Sequence, residues 1–465
     1  MVKNKEILTR ADAISVATAL SSLLCERRFS DFRREICDLA PADLALVYEE
    51  CPAELRSLFF RLLPKEEAAG SFALMSPELQ RSLVESFSDK ELSELLSDMY
   101  IDDTVDLIEE MPAALVKRII RATDRVDRDR INRILRYPRD SAGAIMTTEY
   151  MRLRADMTVR SALVHIRRVA LDKETVYTSY ITDEKRRLVG VVTAKKLLIS
   201  EPDTQVSEIM QTSVVSARTT DNREQVAEML SHYGLIALPV VDGEDRLVGI
   251  VTVDDAMTVL KEEREEDFAK MAAVTPGTRP YIKTSPAALF RARIPWLLLL
   301  MISATLSSTI LNRFEALLPA VLVLFVPMLM DTGGNSGSQV SVTVIRSISL
   351  GEIGRGSLFS ILLKEAAAGL MSGTVLGAVA FLKVILVDRL LMQNPEVTVS
   401  VALAVSLSLA ATVIIAKLTG AALPIAAKRV GLDPAVMASP FITTLVDAVA
   451  LVLYFFIAAA LVGFA

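Results

Sequence analysis

From Pro286 to its end the chain is a succession of apolar stretches that suit a bilayer better than water. Ile294–Leu311 is 18 residues without a charge, about the minimum for a helical span. Leu317–Val344, Leu358–Val387, Val397–Ala427 and Val436–Phe464 follow, which makes five candidate spans. Backbone polar groups inside a bilayer must be satisfied within the segment, so helices are the expected form. Five spans put the two termini on opposite sides. With the N-terminus inside, the inner ends hold Arg291, Arg293, Arg346, Arg355, Lys364, Lys428 and Arg429, and the outer ends hold Arg313, Lys383 and Arg389. That bias predicts a multi-pass protein of the cell (inner or plasma) membrane, N-terminus in the cytosol and C-terminus outside.

Charge divides the chain at the same place. From Pro286 on, eleven Lys and Arg face eight acids, a balance of +3, and the total of −6 leaves −9 for residues 1–285. An acidic soluble part attracts cations and repels nucleic acid, so no nucleic-acid partner is expected. Cys25, Cys37 and Cys51 form no CxxC pair, which fits reduced thiols in the cytosol. His165 and His232 supply zinc or histidine chemistry poorly. With no nucleophile–base pair and no phosphate-binding glycine loop, an enzyme is not expected. Met1–Arg10 carries Lys3, Lys5, Glu6 and Arg10 without an apolar core and does not read as a signal peptide.

Two spans carry polar groups where lipid would not accept them. The second contains Pro327-Met-Leu-Met-Asp-Thr-Gly-Gly-Asn-Ser-Gly-Ser-Gln339. Broken backbone at membrane depth is tolerated where it lines a watery cavity. Gly333, Gly334, Gly337, Asn335 and Gln339 are therefore candidate lining residues, the last two being four apart on one face. A run rich in oxygen ligands suits a hard cation; the alternative is a small-residue packing interface. The fifth span carries Asp447 near its middle, with Thr443 and Thr444 one turn earlier. An intramembrane carboxylate marks a pathway; the alternative is a protonated or hydrogen-bonded structural Asp.

The soluble part opens with a short period. Pro52, Pro64, Ser76, Ser88, Tyr100 and Pro112 fall on a 12-residue grid, with acids close behind at Glu54, Glu66, Glu78, Glu91 and Asp103. Pro or Ser followed by acid predicts helix starts. Helices this short must stack, so residues 36 to about 130 are expected to form a small superhelical domain. Within it, Asp98, Asp102, Asp103, Asp106, Glu109 and Glu110 make a dense acidic run, either a cation site or a solvated face.

A repeat follows at an offset of 59. Arg187-Leu-Val-Gly-Val-Val-Thr193 answers Arg246-Leu-Val-Gly-Ile-Val-Thr252. Strand, helix, strand, strand, helix occurs twice, and the pair resembles two CBS motifs over about residues 140–262. The resemblance implies either an adenine-nucleotide cleft, with ATP as a candidate ligand, or a dimerising module. The family's ribose-binding acid, three residues after Thr, is Asp255 in the second motif and is replaced by Lys196 in the first. Beyond lies a helix with Glu262, Glu263, Glu265, Glu266 and Asp267, a strut or a gate leading to the membrane.

Together the short-helix superhelix, the CBS pair, the acidic connecting helix, five spans, the Pro327–Gln339 run and the Thr443–Ala448 stretch resemble the MgtE family of magnesium channels. The implied architecture is a multidomain membrane protein. It has an all-α superhelical N-terminal domain (1–135), an α/β CBS pair (136–258), a connecting plug helix and linker (259–285), and a five-helix transmembrane domain (286–465). The resemblance implies a homodimer with its pore on the two-fold axis, Mg²⁺ as both substrate and regulator, and Asp447 as the pore ligand. It implies cytosolic sensing by the acidic domains, with Asp102, Asp103 and Asp106 in the first. Asp255, Glu263, Glu266 and Asp267 follow along the CBS–plug stretch. The chain departs at Thr258, where an acid is common. The rival functions are a proton- or sodium-coupled divalent cation antiporter and a nucleotide-sensing CBS receptor in the membrane.

Overall fold

The structure, a computed structural model, describes residues 8–277, 281, 284–315, 318–354, 356, 358–437 and 439–463. Lys3, Lys5 and Glu6 of the N-terminal stretch, Arg355 of the inner-end cations, and the span ends Leu317 and Phe464 lie outside the described residues. The chain forms two compact units, Met1–Leu260 and Lys261–Ala465.

The first unit begins with ten helices. They are α1 (Arg10–Cys25), α2 (Phe29–Ile36), α3 (Pro41–Glu50), α4 (Ala53–Leu62), α5 (Lys65–Ala73), α6 (Pro77–Ser86), α7 (Asp89–Ser97), α8 (Ile101–Glu110), α9 (Ala113–Ala122) and α10 (Arg125–Ile134). From α3 to α10 the first helical residues are 12 apart, and each grid residue of the sequence is the cap before one. Ser88 shows why. Its side chain accepts from the Glu91 N–H while Glu91 accepts from the Ser88 N–H, a complete capping box. Pro52, Pro64 and Pro112 hold the extended backbone that stops one helix and admits the next. Helices pack on their second neighbours: α3 on α5, α5 on α7, α7 on α9, α6 on α8 and α8 on α10. Aromatic edges such as Phe32 on Phe59 (5.0 Å) fill the seam.

Two three-stranded sheets follow. β1 (Tyr150–Arg154), α11 (Val159–Val169), β2 (Thr175–Thr182), β3 (Leu188–Thr193) and α12 (Ala194–Ile199) make the first motif. After a short α13 (Val206–Ile209), the second has β4 (Ala217–Arg218), α14 (Arg223–Tyr233), β5 (Ala237–Val241), β6 (Leu247–Thr252) and α15 (Val253–Met271). In each sheet the first two strands are parallel and the last two antiparallel. The repeated glycine has a packing cause. A Cβ on Gly190 would stand 2.8 Å from Met210 Sδ, and one on Gly249 would stand 2.6 Å from Met146 Sδ. The second motif shares one apolar core with the ten helices, through residues such as Val240, Val251 and Ala256. α15 is longer than a motif helix needs: it starts in the repeat and runs unbroken through the acidic stretch.

The second unit holds α16 (Pro286–Glu315), α17 (Ala320–Val323), α18 (Val326–Ser349), α19 (Leu358–Lys383), α20 (Val399–Arg429) and α21 (Ser439–Val462). Among the described residues, four helices are long and apolar enough to cross a bilayer: Pro286–Phe314, Leu358–Leu391, Val399–Arg429 and Pro440–Val462. The remaining candidate, α18, has 24 residues, about 36 Å at 1.5 Å per residue, so length suffices and polarity sets it apart. The expectation of broken backbone in the Gly-rich run is corrected. α18 is continuous through it; the helix break falls at Leu324–Phe325, and Pro327 sits harmlessly in the first turn. The glycines serve close helix contact instead. A Cβ on Gly420 of α20 would run into the Gly337 carbonyl of α18, and one on Gly373 of α19 would stand 2.7 Å from the Ala410 carbonyl oxygen.

Gly420→Val is accordingly expected to lower the melting temperature of the detergent-solubilised protein, since overpacking of this kind costs ~1–3 kcal/mol. Val375→Ala on the exposed face of α19 is expected to change it little. Equal melting of Gly420→Val and the native chain would show that α18 and α20 do not meet there.

Candidate functional site

The first cluster lies in the Met1–Leu260 unit. α8 begins at Ile101 and so delivers Asp102 and Asp103 in its first turn, where the helix dipole favours acids. Ligand oxygens of Asp102, Glu149 and Glu174 all lie within 4.8 Å of one another. Glu149 stands just before β1 and accepts from the Ile101 N–H at 3.2 Å, which ties it to the start of α8. Glu174 stands just before β2. Asp102 keeps some exposed surface, but its Oδ1 is fully buried and lacks a hydrogen-bond partner, as does Glu174 Oε2.

The electrostatics agree with that geometry. Burial, then the charges of Asp255, Asp103 and Glu174, hold the Asp102 carboxyl well above its ordinary range. Burial, then the charges of Asp255, Asp103 and Asp254, push Glu174 up to about 8, and burial with Asp255 and Asp254 pushes Asp103 up to about 6. Asp255 is pushed up to about 6, chiefly by burial, although its Oδ2 accepts from the Thr252 hydroxyl. Glu149 is raised too, by burial. So many carboxylates raising one another need either protons or a cation. Oxygen-only donors suit a hard divalent ion such as Mg²⁺.

Of the acids expected from sequence, Asp102, Asp103 and Asp255 come together here. Asp106 is exposed and stands outside the group. Glu149 and Glu174 were not anticipated, because single acids beside strands carry no sequence pattern. Lys196, at the Asp255 slot of the first motif, donates its backbone N–H to Thr193 Oγ1 and accepts from Ser200 Oγ at its carbonyl. Further along α15, Thr258 is exposed, Glu263 is half-buried, Glu266 meets Lys270 at 2.6 Å, and Asp267 accepts from Ser349 Oγ at 3.4 Å.

The second cluster lies in the helical unit. α18 has two faces. Gly333, Gly334 and Gly337 are buried, not lining: a Cβ on Gly333 would stand 2.7 Å from Thr412 Cγ2, on Gly334 2.7 Å from Thr443 Cγ2, and on Gly337 2.9 Å from Ile442 Cγ2. Their role as lining residues is corrected to one of packing, because α20 and α21 fill the space beside them. The other face exposes Asp331, Asn335, Gln339, Thr343 and Arg346, spaced by four and three. Thr443 Oγ1 lies 3.3 Å from Ser338 Oγ, and Thr444 Oγ1 donates to the Pro440 carbonyl at 3.0 Å. Asp447 is half-buried, and its Oδ1 is buried without a hydrogen-bond partner. Among the described residues, Asp447 has no cationic partner, and Asp331 is the charge whose field reaches it. Asp331, six residues into α18, lies inside the Pro327–Gln339 run with no pattern of its own to set it apart as a site residue.

Known proteins match along nearly the whole length. A divalent cation transporter model (MgtE) matches residues 326–457, an MgtE intracellular N domain model matches 39–140, and CBS domain models match 142–201 and 206–262. The magnesium transporter MgtE of Thermus thermophilus is 36% identical over 448 residues, 95% of this chain and 98% of its own. That of Bacillus subtilis is 31% identical over 446 residues, 95% of this chain and 96% of its own. A crystal structure of the cytosolic domain of the Mg²⁺ channel MgtE in complex with ATP aligns with a TM-score of 0.50 and 38% identity, covering 52% of this chain and 99% of that one.

The first cluster yields a stability prediction for residues 1–275. Its acids have folded-state pKa values above the unfolded ones, so the folded state binds more protons, and stability falls as pH rises. Without metal, the melting temperature is expected to drop as pH rises from about 4, past the values near 6 of Asp103 and Asp255, to about 8 for Glu174. Mg²⁺ in the millimolar range at pH 8 is expected to restore it, and Asp102→Asn to blunt both responses. Melting that is flat in pH and in Mg²⁺ would remove the cluster as a cation site.

Proposed function

Since the chain belongs to the MgtE family of magnesium transporters, transporters and not enzymes, we propose that it is a Mg²⁺-selective channel, closed by cytosolic Mg²⁺. The observation that carries this reading is the exposed stripe Asp331, Asn335, Gln339 on a helix packed among apolar helices, beside an Asp447 oxygen without a partner. Such a stripe cannot face lipid at acceptable cost. A second copy of the chain, presenting the same stripe across a two-fold axis, would enclose it in water. The conducting unit is then a homodimer in the cell membrane. α18 is the second of its five spans, the N-terminus is cytosolic and the C-terminus is outside.

Mg²⁺ gives up its waters reluctantly. A path with one Asp447 per protomer, amide oxygens at Asn335 and Gln339, and hydroxyls nearby offers polar contact to a hydrated ion without demanding full dehydration. A cage of many carboxylates would favour calcium instead. Sensing falls to the pocket of Asp102, Asp103, Glu149, Glu174 and Asp255, with Glu263 and Asp267 further along α15. When Mg²⁺ fills the pocket it supplies the missing counter-charge. When Mg²⁺ is scarce, the carboxylates repel, and α15 is released from its closing position. ATP at the CBS pair is part of the same proposal, on the strength of the ATP-bound relative, with Asp255 as the ribose ligand.

Two measurements test this. Asp447→Asn is expected to reduce Mg²⁺ flux into proteoliposomes by ten-fold or more with the dimer intact. Native flux driven by voltage should need no proton or sodium gradient. Undiminished flux in the variant would remove Asp447 from the path, and an obligatory gradient would make the protein an antiporter. Calorimetry should show ATP binding weakened in Asp255→Ala; unchanged affinity would place the nucleotide elsewhere.

A further inference from the structure

The last turn of α15 carries a cation among acids. Lys270 Nζ lies 2.6 Å from Glu266 Oε1, one turn earlier, and 2.6 Å from Asp433 Oδ2 in the connection between α20 and α21. Asp433 is itself fixed: its other carboxylate oxygen accepts from the Ala435 N–H at 2.8 Å, at the head of a tight turn over Pro434–Met437. That turn is joined to α18, because Ser341 Oγ donates to the Met437 carbonyl at 3.2 Å. Beside it, Asp267 accepts from Ser349 Oγ, the last residue of α18, at 3.4 Å.

Around this point Glu263, Glu266, Asp267 and Asp433 are gathered. Burial and the charge of Asp433 raise the Asp267 carboxyl, and Lys270 lowers it. Burial disfavours the Lys270 charge, but its bonds to Asp433 and Glu266 outweigh that and keep the ammonium protonated. Here, then, the counter-charge is part of the chain.

We infer that Lys270 is a positioning residue: the built-in cation that docks the last turn of α15 on the α20–α21 connection whether or not a metal ion is present. Metal binding then adds to a closed arrangement that already has a foothold. Lys270 sets how far the channel is closed before any Mg²⁺ arrives. The consequence for flux rests on reading α15 as the closing helix; the docking itself does not.

Hydrogen exchange on the full chain in detergent, with divalent ions chelated, tests the docking. Amides of residues 262–273 are expected to exchange about three- to five-fold faster in Lys270→Gln and in Asp433→Asn, the range for a partly exposed pair worth up to ~1 kcal/mol. Amides of α20 should not change. The double variant Lys270→Asp with Asp433→Lys keeps one cation between two carboxylates and should return exchange toward native. Unchanged exchange in Lys270→Gln overturns the inference. So does loosening that spreads through α20, or loosening that the swapped pair fails to repair. Proteoliposome flux at chelated internal Mg²⁺ is the second readout, expected to rise about two-fold in Lys270→Gln. Faster exchange with unaltered flux would keep the docking and refute α15 as the closing helix.

Discussion

Close contact between α18 and α20 at Gly337 and Gly420 decides which side of α18 is open. Without a side chain at either position, the two backbones approach until any Cβ on Gly420 would overlap the Gly337 carbonyl. Gly333 and Gly334 extend the contact toward Thr412 and Thr443. Since successive residues turn about 100° around a helix, fixing one face fixes the other. Asp331, Asn335 and Gln339 are thereby held away from α20 and α21, on the surface that a second copy would have to cover. The glycines do their work by aiming the polar stripe.

Charge without counter-charge recurs in both units, with two different remedies. Around Asp102, Asp103, Glu149, Glu174 and Asp255 the acids face one another with no lysine or arginine, among the described residues, paired to them, so the site has energy to gain from a cation. At the end of α15 a comparable gathering holds a cation of its own, Lys270, paired with Glu266 and Asp433. An empty carboxylate pocket responds to ion concentration throughout, whereas a built-in cation that pairs Glu266 and Asp433 leaves only Glu263 and Asp267 to respond. The same helix begins at acids without a paired cation and ends at acids that have one.

Much of the fold was legible because its signals are local. The 12-residue grid of caps, the duplicated Leu-Val-Gly strands and the apolar stretches are each readable from consecutive residues. The acidic run at Asp102 was legible as a run, but not which of its members would turn inward. Four residues apart, Asp102 and Asp106 fall on one helical face, yet burial against the strands took Asp102 and left Asp106 in solvent. Glu149 and Glu174 are 25 residues apart in sequence, and only the parallel pairing of β1 and β2 brings the residues before those strands together. The glycine-rich run misled for a related reason. Glycine and proline suggest a break, but Pro327 in a first turn costs nothing, and buried glycines inside a helix are repaid by close packing.

The chemistry of the pocket also bears on how tightly it can hold an ion. Glu174 near 8 and Asp103 and Asp255 near 6 keep part of their protons at neutral pH, so a cation must displace them. Mg²⁺ must also surrender some hydration to reach buried oxygens. Both costs are subtracted from a strong Coulombic attraction. A pocket of free, solvated carboxylates would avoid the first cost, but it would be screened and would order nothing. Burial would therefore trade affinity for consequence: an ion held there would bind more weakly, yet its arrival would remove repulsion between α8 and the strands at once. That exchange suits a sensor of an abundant ion, which must remain unfilled until the ion is plentiful.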